Sequence, residues 1–397
     1  MSYIKKTENN ILFDIVVVGA GPAGIAFACG FAGSNIKIAV VDKLPRKIIA
    51  NPKIDGREIA LTHHSVKILK QLNVWRYISN KSIAVIKEAR VLDGDSTYYL
   101  NFDHQEIEKE CLGYLIPNYI IRKNLYKRLR NLSNITLISK AECLSVNFEE
   151  QHAAITLSNG KKIKTFLVVA ADSRFSKMRS KMGISAYTRN FNKNMIVCRM
   201  EHEKPHKNIA YEFFRYNQTQ AALPYIKNQS GIITTTTKDL TSALMSMNKK
   251  KFNKQMENSF NNYFGKMRLL GKRYSYPLVT TYTKKFISHR FAVIGDAAVG
   301  MHPVTAQGFN LGLKGLEILI NEVKAAIKNK TDIGLTAVLR NYQSKLHRVA
   351  APVYLATNGI INLYTSTILP AKLTRQFILR FVNTVKPVKQ TFLNILK

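Results

Sequence analysis

The chain has 397 residues, 46% of them apolar and 10% aromatic, enough to bury a core and too apolar for a disordered basic tail. Lysine and arginine number 60 against 25 acidic residues, a formal charge of +35, which fits a nucleic-acid binder, a protein of anionic membrane surfaces or a basic soluble enzyme. The lysines are scattered from Lys5 to Lys397 rather than gathered in a stripe, which argues against nucleic acid. Cys29, Cys111, Cys143 and Cys198 lack ligand-like spacing, so neither a disulfide scaffold nor a metal site is expected, and they read as reduced thiols of a cytosolic protein.

In chain order, the polar start MSYIKKTENN shows no secretory signal. Residues 11–33 could imitate a membrane span, but they contain Asp14 and the glycines Gly19, Gly21, Gly24, Gly30 and Gly33. The run IVVVG passes into GAGPAG and a small-residue helix, and a second apolar run ends at Asp42. This is a β-α-β unit with G-x-G-x-x-G at Gly19, Gly21 and Gly24. Gly19 permits the turn, Gly21 admits a pyrophosphate, Gly24 lets helix and strand pack, and the helix start offers amides to phosphates. A carboxylate at Asp42 would accept from ribose hydroxyls. FAD and NAD(H) both remain open at this point, and the false membrane span becomes a strand buried on both faces.

Three further segments carry chemistry. DGREIAL (55–61) precedes a helical stretch; in LVVAADSRFSKMR (167–179) a strand ends at Asp172; and RFAVIGDAAVGMHPVTAQGFNLGLKGL spans 290–316. In the last, a strand ends in Asp296, Pro303 and Gly308 bracket a loop, and a helix begins near Gln307 with Gly308, Gly312 and Gly315. An acid at a strand tip can hold a sugar-like hydroxyl chain, a helix start can stabilise an anion on a ring oxygen, and glycines let a planar ring approach the backbone.

Residues 83–105 alternate, and 194–237 contain the strand-like runs NMIVCRM, AYEFF and GIITTTT, which suit a separate sheet. A basic, helix-prone excursion follows. After Asp332 the last 65 residues hold no acid, while Arg340, Lys345, Arg348, Lys372, Arg375, Arg380, Lys386, Lys389 and Lys397 are interleaved with Leu363, Ile368, Leu369, Leu373, Phe377, Ile378, Leu379, Phe381, Val382 and Val385. Such a segment either covers a core or lies on an anionic membrane.

Together these motifs, with I-x-R-x-x-L at 120–125, AYEFFRYNQTQAALPY from Ala210 and YPL at Tyr276, resemble the FAD-dependent aromatic hydroxylases of the para-hydroxybenzoate hydroxylase type, most closely the ubiquinone-biosynthesis branch. The resemblance implies an α/β (α+β) fold. A discontinuous Rossmann-like FAD-binding domain (1–82, 112–185 and 276–335) would be joined by a mainly β substrate domain (83–111 and 186–275) and a basic helical C-terminal segment (336–397). It implies FAD as cofactor, NAD(P)H as co-substrate, O2, and hydroxylation of a prenylated ubiquinone precursor, with the GDAAVGMHPVTA block closest to a subgroup acting on a demethoxyubiquinol. Asp42 would hold the ribose, Arg57 and Arg122 lie near the flavin, and Asp296 serve the ribityl or pyrophosphate region. Asp172 would serve FAD and in part NAD(P)H, and the backbone from Gln307 to Phe309, beyond Pro303, would face the pyrimidine edge.

This sequence departs from the pattern at Ser173, where glycine is usual, at Val299, where histidine is, and at Ala306 and Gly315, where glycine and aspartate are common. No residue emerges as a required general base; His302 and Tyr211 are candidates for substrate contact only. An apolar substrate implies a cytoplasmic enzyme peripherally attached to a membrane, with an anionic surface, an acidic partner or a ubiquinone-biosynthesis complex at its basic segment. The rivals are another flavoprotein of the same fold, such as an isoprenoid reductase or soluble phenol hydroxylase, and a basic nucleic-acid-binding protein.

Overall fold

The structure is a computed structural model that describes residues 11–94, 96, 98–215, 218–365, 375, 380–385, 387 and 389–390. Strand Ile11–Val18 is buried along Ile15–Val18 and lies parallel to both Lys162–Ala170 and Ile38–Asp42. The parallel order continues outward to Phe291–Val293 on one side and Ile135–Ser139 on the other. Residues 15–18, 38–41, 167–170 and 291–293 are apolar runs buried without alternation, as strands covered on both faces must be. Helices Pro22–Cys29, Asn118–Leu129 and Gln307–Lys328 cover them. Asp14, the charge inside the apparent membrane span, accepts the Lys37 amide at 2.7 Å. No helix of the described residues is long and apolar enough to cross a membrane.

The second sheet has eight strands in the order Val299–Gly300, Met267–Thr283, Ala186–His202, Gln229–Thr237, Gln218–Pro224, Ile209–Arg215, Glu88–Asp93 and Tyr99–Asp103. All pairs are antiparallel except Ile209–Arg215 with Glu88–Asp93. Period-2 alternation gives this sheet two different faces. Tyr211, Ala222, Ile232 and Cys198 form one cross-strand row, and its face packs under helices Lys238–Ser246 and Lys249–Ser259 with Phe252, Phe260 and Phe264. The next row, Glu212, Ala221, Ile233 and Val197, points the other way, into the space between the sheets. A small third sheet joins Glu58–Leu61, Gly113–Pro117 and Ala84–Ile86. The fold is thus α/β, with a Rossmann-like sheet, a mainly β second sheet and a helical C-terminus.

Helix Thr336–Thr365 packs on Gln307–Lys328. Beyond it, Val382 is buried with Leu100 and Phe214, Arg375 lies 3.8 Å from Asp93 with both side chains buried, and Lys389 pairs with Glu106 at 2.8 Å. Lys345 likewise reaches Glu322. The acid-free segment therefore meets acids supplied by earlier parts of the chain. Lys372, Lys386, Lys397, Ile368, Leu369, Leu373, Phe377, Ile378 and Leu379 lie outside the described residues.

Candidate active site

A cavity of about 710 Å³ opens between the parallel sheet and the inward row of the second sheet. At one end stands the glycine turn. Gly19 has φ +111°, and a Cβ there would lie 2.4 Å from the Ala171 carbonyl oxygen; one on Gly24 would meet the Gly19 oxygen at 2.0 Å. Both positions therefore hold strand and helix together. A Cβ on Gly21 would have no neighbour within 4 Å, and Gly21 lines the cavity, so its open side faces a ligand. It also precedes helix Pro22–Cys29 without any side-chain cap, leaving first-turn amides for an anion. Asp42 holds this turn: its carboxylate accepts the Ala20 amide at 2.7 Å and the Leu44 amide at 2.8 Å. Each oxygen keeps a lone pair for a further donor.

Arg57, on the segment before strand Glu58–Leu61, forms a fork to Asp55 at 2.7 and 3.2 Å and lies 5.3 Å from the Tyr276 ring centroid. Asn118 donates to the same Asp55 carboxylate at 2.7 Å, and the Tyr276 hydroxyl donates to the Asp55 carbonyl at 2.7 Å. Burial pushes the Tyr276 phenol up, against the opposing pull of Arg57. Arg122 joins Arg57 on the cavity wall.

Asp296 lines the cavity with its side chain 47% exposed, free to meet a ligand hydroxyl. Its partner is Arg174, at 3.1 Å, whose guanidinium also donates to the Met301 carbonyl at 3.3 Å and to the Val279 carbonyl. Arg174 thus ties the turn after Lys162–Ala170 to the Asp296 segment and to the second sheet. Sequence reasoning missed it, although it stands inside the quoted ADSRFSKMR motif. Asp172 plays a local part: it accepts the Ser176 hydroxyl and, at 3.0 Å, the Met178 amide, and it does not line the cavity. Ser173, in the place of a usual glycine, has φ +83°.

Ala306, the other glycine replacement, has φ +52° and is the uncapped start of helix Gln307–Lys328. Pro303, Gly308 and Phe309 line the cavity there, while the Gln307 side chain is buried. Asn310, also missed, fastens this helix to the chain around Glu58–Leu61. It donates to the Ala60 carbonyl at 2.9 Å and accepts the Thr62 amide at 3.1 Å and the Ser65 hydroxyl at 2.7 Å.

His302 reaches the cavity as a neutral ring. Burial first, then the charges of Arg174, Lys193 and Arg189, push its pKa down to about 3. Its Nδ1 accepts the Val304 amide at 3.2 Å, which leaves the proton on Nε2. Tyr211, the other substrate-contact candidate, is not brought to the cavity. It sits on the helix-covered face, its hydroxyl 2.9 Å from that of Tyr263, because alternation turns odd and even positions of its strand to opposite sides. Glu212, its neighbour, lines the cavity instead. A smaller recess of about 220 Å³ adjoins at His302, Leu278 and Val304 and carries Arg189 and Lys193. Among the described residues no cluster of metal-ligating side chains occurs.

The open cradle at Gly21, the two uncapped helix starts and the cavity volume fit an FAD. Residues 13–356 match the family model of the FAD binding domain. The chain is 38% identical to the ubiquinone hydroxylase UbiM of Neisseria meningitidis over 381 residues, 95% of this chain and 83% of that protein. It is 30% identical to the ubiquinone hydroxylase UbiL of Rhodospirillum rubrum, over 96% of this chain and 88% of that one. Among solved structures, p-nitrophenol 4-monooxygenase PnpA from Pseudomonas putida superposes with a TM-score of 0.79 over 98% of both chains at 14% identity, a likeness of fold. On this combination of glycine turn, Asp296 segment and full-length similarity, the chain belongs to the FAD-dependent monooxygenases of the FAD-binding-domain family, on its ubiquinone hydroxylase branch.

Proposed function

We propose that this monooxygenase hydroxylates the ring of a prenylated quinone precursor, a demethoxyubiquinol being the ring we favour, with NAD(P)H as electron donor. The observation that carries the reading is the cavity's two-sidedness: a dinucleotide cradle at Gly21 and Asp296 faces an apolar wall of Met195, Val197, Ala221, Leu223 and Ile233. When bound, FAD supplies the redox chemistry that brings one oxygen atom of O2 to an electron-rich ring. The protein's share is binding, orientation and exclusion of water.

In this reading the amides after Gly21 take the pyrophosphate, Asp42 the ribose hydroxyls and Asp296 the ribityl chain, while Arg57 and Arg122 flank the ring system. The backbone from Gln307 to Phe309 meets the pyrimidine edge as an anion-stabilising helix start. Asp172 serves by shaping the turn that delivers Arg174. His302 acts as a neutral polar contact. The segments 1–82, 112–185 and 276–335 form the cofactor unit and 83–111 with 186–275 the substrate unit, strand Met267–Thr283 running through both.

An apolar substrate favours peripheral attachment of the enzyme to the cytoplasmic face of a membrane, or delivery within a biosynthetic complex. The basic C-terminal segment is our candidate surface, and exchange of Arg340, Arg348, Lys372, Arg380, Lys386 and Lys397 for glutamine, with the ion-paired Lys345, Arg375 and Lys389 left in place, should release the enzyme from anionic liposomes; undiminished binding overturns that part. For the reaction, quinone-intermediate profiling of a strain lacking the gene should show one under-hydroxylated prenyl intermediate. An unchanged quinone pool, or double-bond reduction without O2 consumption by the purified protein, refutes the assignment.

A further inference from the structure

Three carboxylates line the cavity among the described residues, and two of them are paired: Glu58 with Arg199 at 2.6 Å and Asp296 with Arg174 at 3.1 Å. The third, that of Glu212, has neither an ion pair nor a hydrogen bond among the described residues. It stands in the inward cross-strand row with Ala221, Ile233 and Val197, on the wall of the cavity that the second sheet forms. Burial raises its proton affinity well above the ordinary carboxylate range, and no neighbouring charge counters it. Its outward neighbours on the same strand, Tyr211 and Phe213, are core residues, so folding alone would be served better by an apolar side chain at position 212. A carboxyl group accepts the O–H of a phenolic hydroxyl in either protonation state and, when it carries a proton, also donates to the phenolic oxygen.

We propose that Glu212 is a substrate-binding residue that holds a ring hydroxyl of a phenol or hydroquinone against an otherwise apolar wall. The proposal rests on the reading of this cavity as a ring-hydroxylating site. It makes the wall selective: a ring without the hydroxyl covers the carboxyl and leaves it unsatisfied, whereas a hydroxylated ring of the same shape satisfies it. Glu212 belongs to the AYEFFRYNQTQAALPY stretch, one residue from the tyrosine that the sequence alone put forward.

The test uses the FAD-loaded enzyme and two probes, 2-geranylphenol and geranylbenzene, which differ by one ring oxygen. Binding is read from the absorbance change of the oxidised flavin, without turnover. The wild-type enzyme should prefer the phenol by roughly tenfold or more. E212Q, which keeps a donor and an acceptor, should retain that preference, and E212L should lose it while binding geranylbenzene as well as before. E212A carries the same comparison if E212L fails to fold. A preference that survives in E212L and E212A, or an equal loss for both probes, overturns the role of Glu212 alone. A flavin-loaded wild-type enzyme that binds neither probe overturns the ring-hydroxylating reading, and this proposal with it.

Discussion

Arg174 and Asp296, 122 residues apart in sequence, meet at 3.1 Å on the wall of the cavity. The pair itself is partly exposed, so its charge attraction is worth little. What Arg174 adds is geometry, because the same guanidinium holds the Met301 and Val279 carbonyls. Arg174→Ala should therefore weaken FAD binding by about tenfold or more while lowering the melting temperature only modestly. Arg174→Lys, which keeps the charge and loses the planar fork, should behave nearly as badly. Flavin fluorescence titration beside a melting curve checks both.

The glycine turn separates folding from cofactor capture. Gly24→Ala would drive a methyl into the Gly19 oxygen, whereas Gly21→Ala meets no protein atom within 4 Å. Apo-protein stability should fall by about 1–3 kcal/mol or more in the first variant, as for overpacking, and stay unchanged in the second. FAD affinity should fall in both. Urea unfolding of the flavin-free proteins and equilibrium dialysis with FAD distinguish them.

Ser173 and Ala306 carry left-handed φ values of +83° and +52°, conformations that cost a side-chain-bearing residue about 1–2 kcal/mol. Ser173→Gly and Ala306→Gly should each stabilise the protein by up to about 1 kcal/mol, the gain being reduced by the greater entropy of glycine in the unfolded chain. Denaturant midpoints read this directly, and destabilisation by either glycine would contradict it.

His302 makes stability depend on pH with a definite sign. Its folded pKa, about 3, lies below its ordinary 6.5, so the unfolded chain takes up the proton first. Its contribution is fully present above pH 6.5 and is lost as pH falls from there towards 3, at about 1.4 kcal/mol per pH unit. His302→Asn should lessen the fall in stability between pH 6.5 and 5 by up to about 2 kcal/mol. His202 and His206, also held neutral by burial, keep a residual slope. Activity above pH 5 should show no inflection that disappears in this variant.

Local features were legible in the sequence: the glycine turn with Asp42, the Arg57 segment, Asp296 and the helix start at Gly308 and Phe309 are each written in a few consecutive residues. Arg174 and Asn310 were not, because their partners lie more than a hundred residues away in the chain. The exchange of Tyr211 for Glu212 has a different origin. Alternation says that the two side chains point apart, but which one faces the cavity depends on where helices Lys238–Ser246 and Lys249–Ser259 pack, and no local pattern contains that. The last 65 residues hold no acid of their own, and the partners of their cations, Asp93 at the end of strand Glu88–Asp93 and Glu106 in the turn His104–Ile107, come from far earlier in the chain.

Strands Ala186–His202 and Met267–Thr283 pair along 17 residues each, with register shifts between Asn190 and Asn194 and between Val197 and Arg199. Val299–Gly300 is hydrogen-bonded to the same ladder, so the segment that follows Asp296 and the apolar wall of the cavity belong to one continuous weave. A slip of one residue would swap the greasy inner lining for its outer counterpart, and the irregularities pin the alignment against it. The lining can then change one side chain at a time while the separation of that wall from the Asp296 segment is kept.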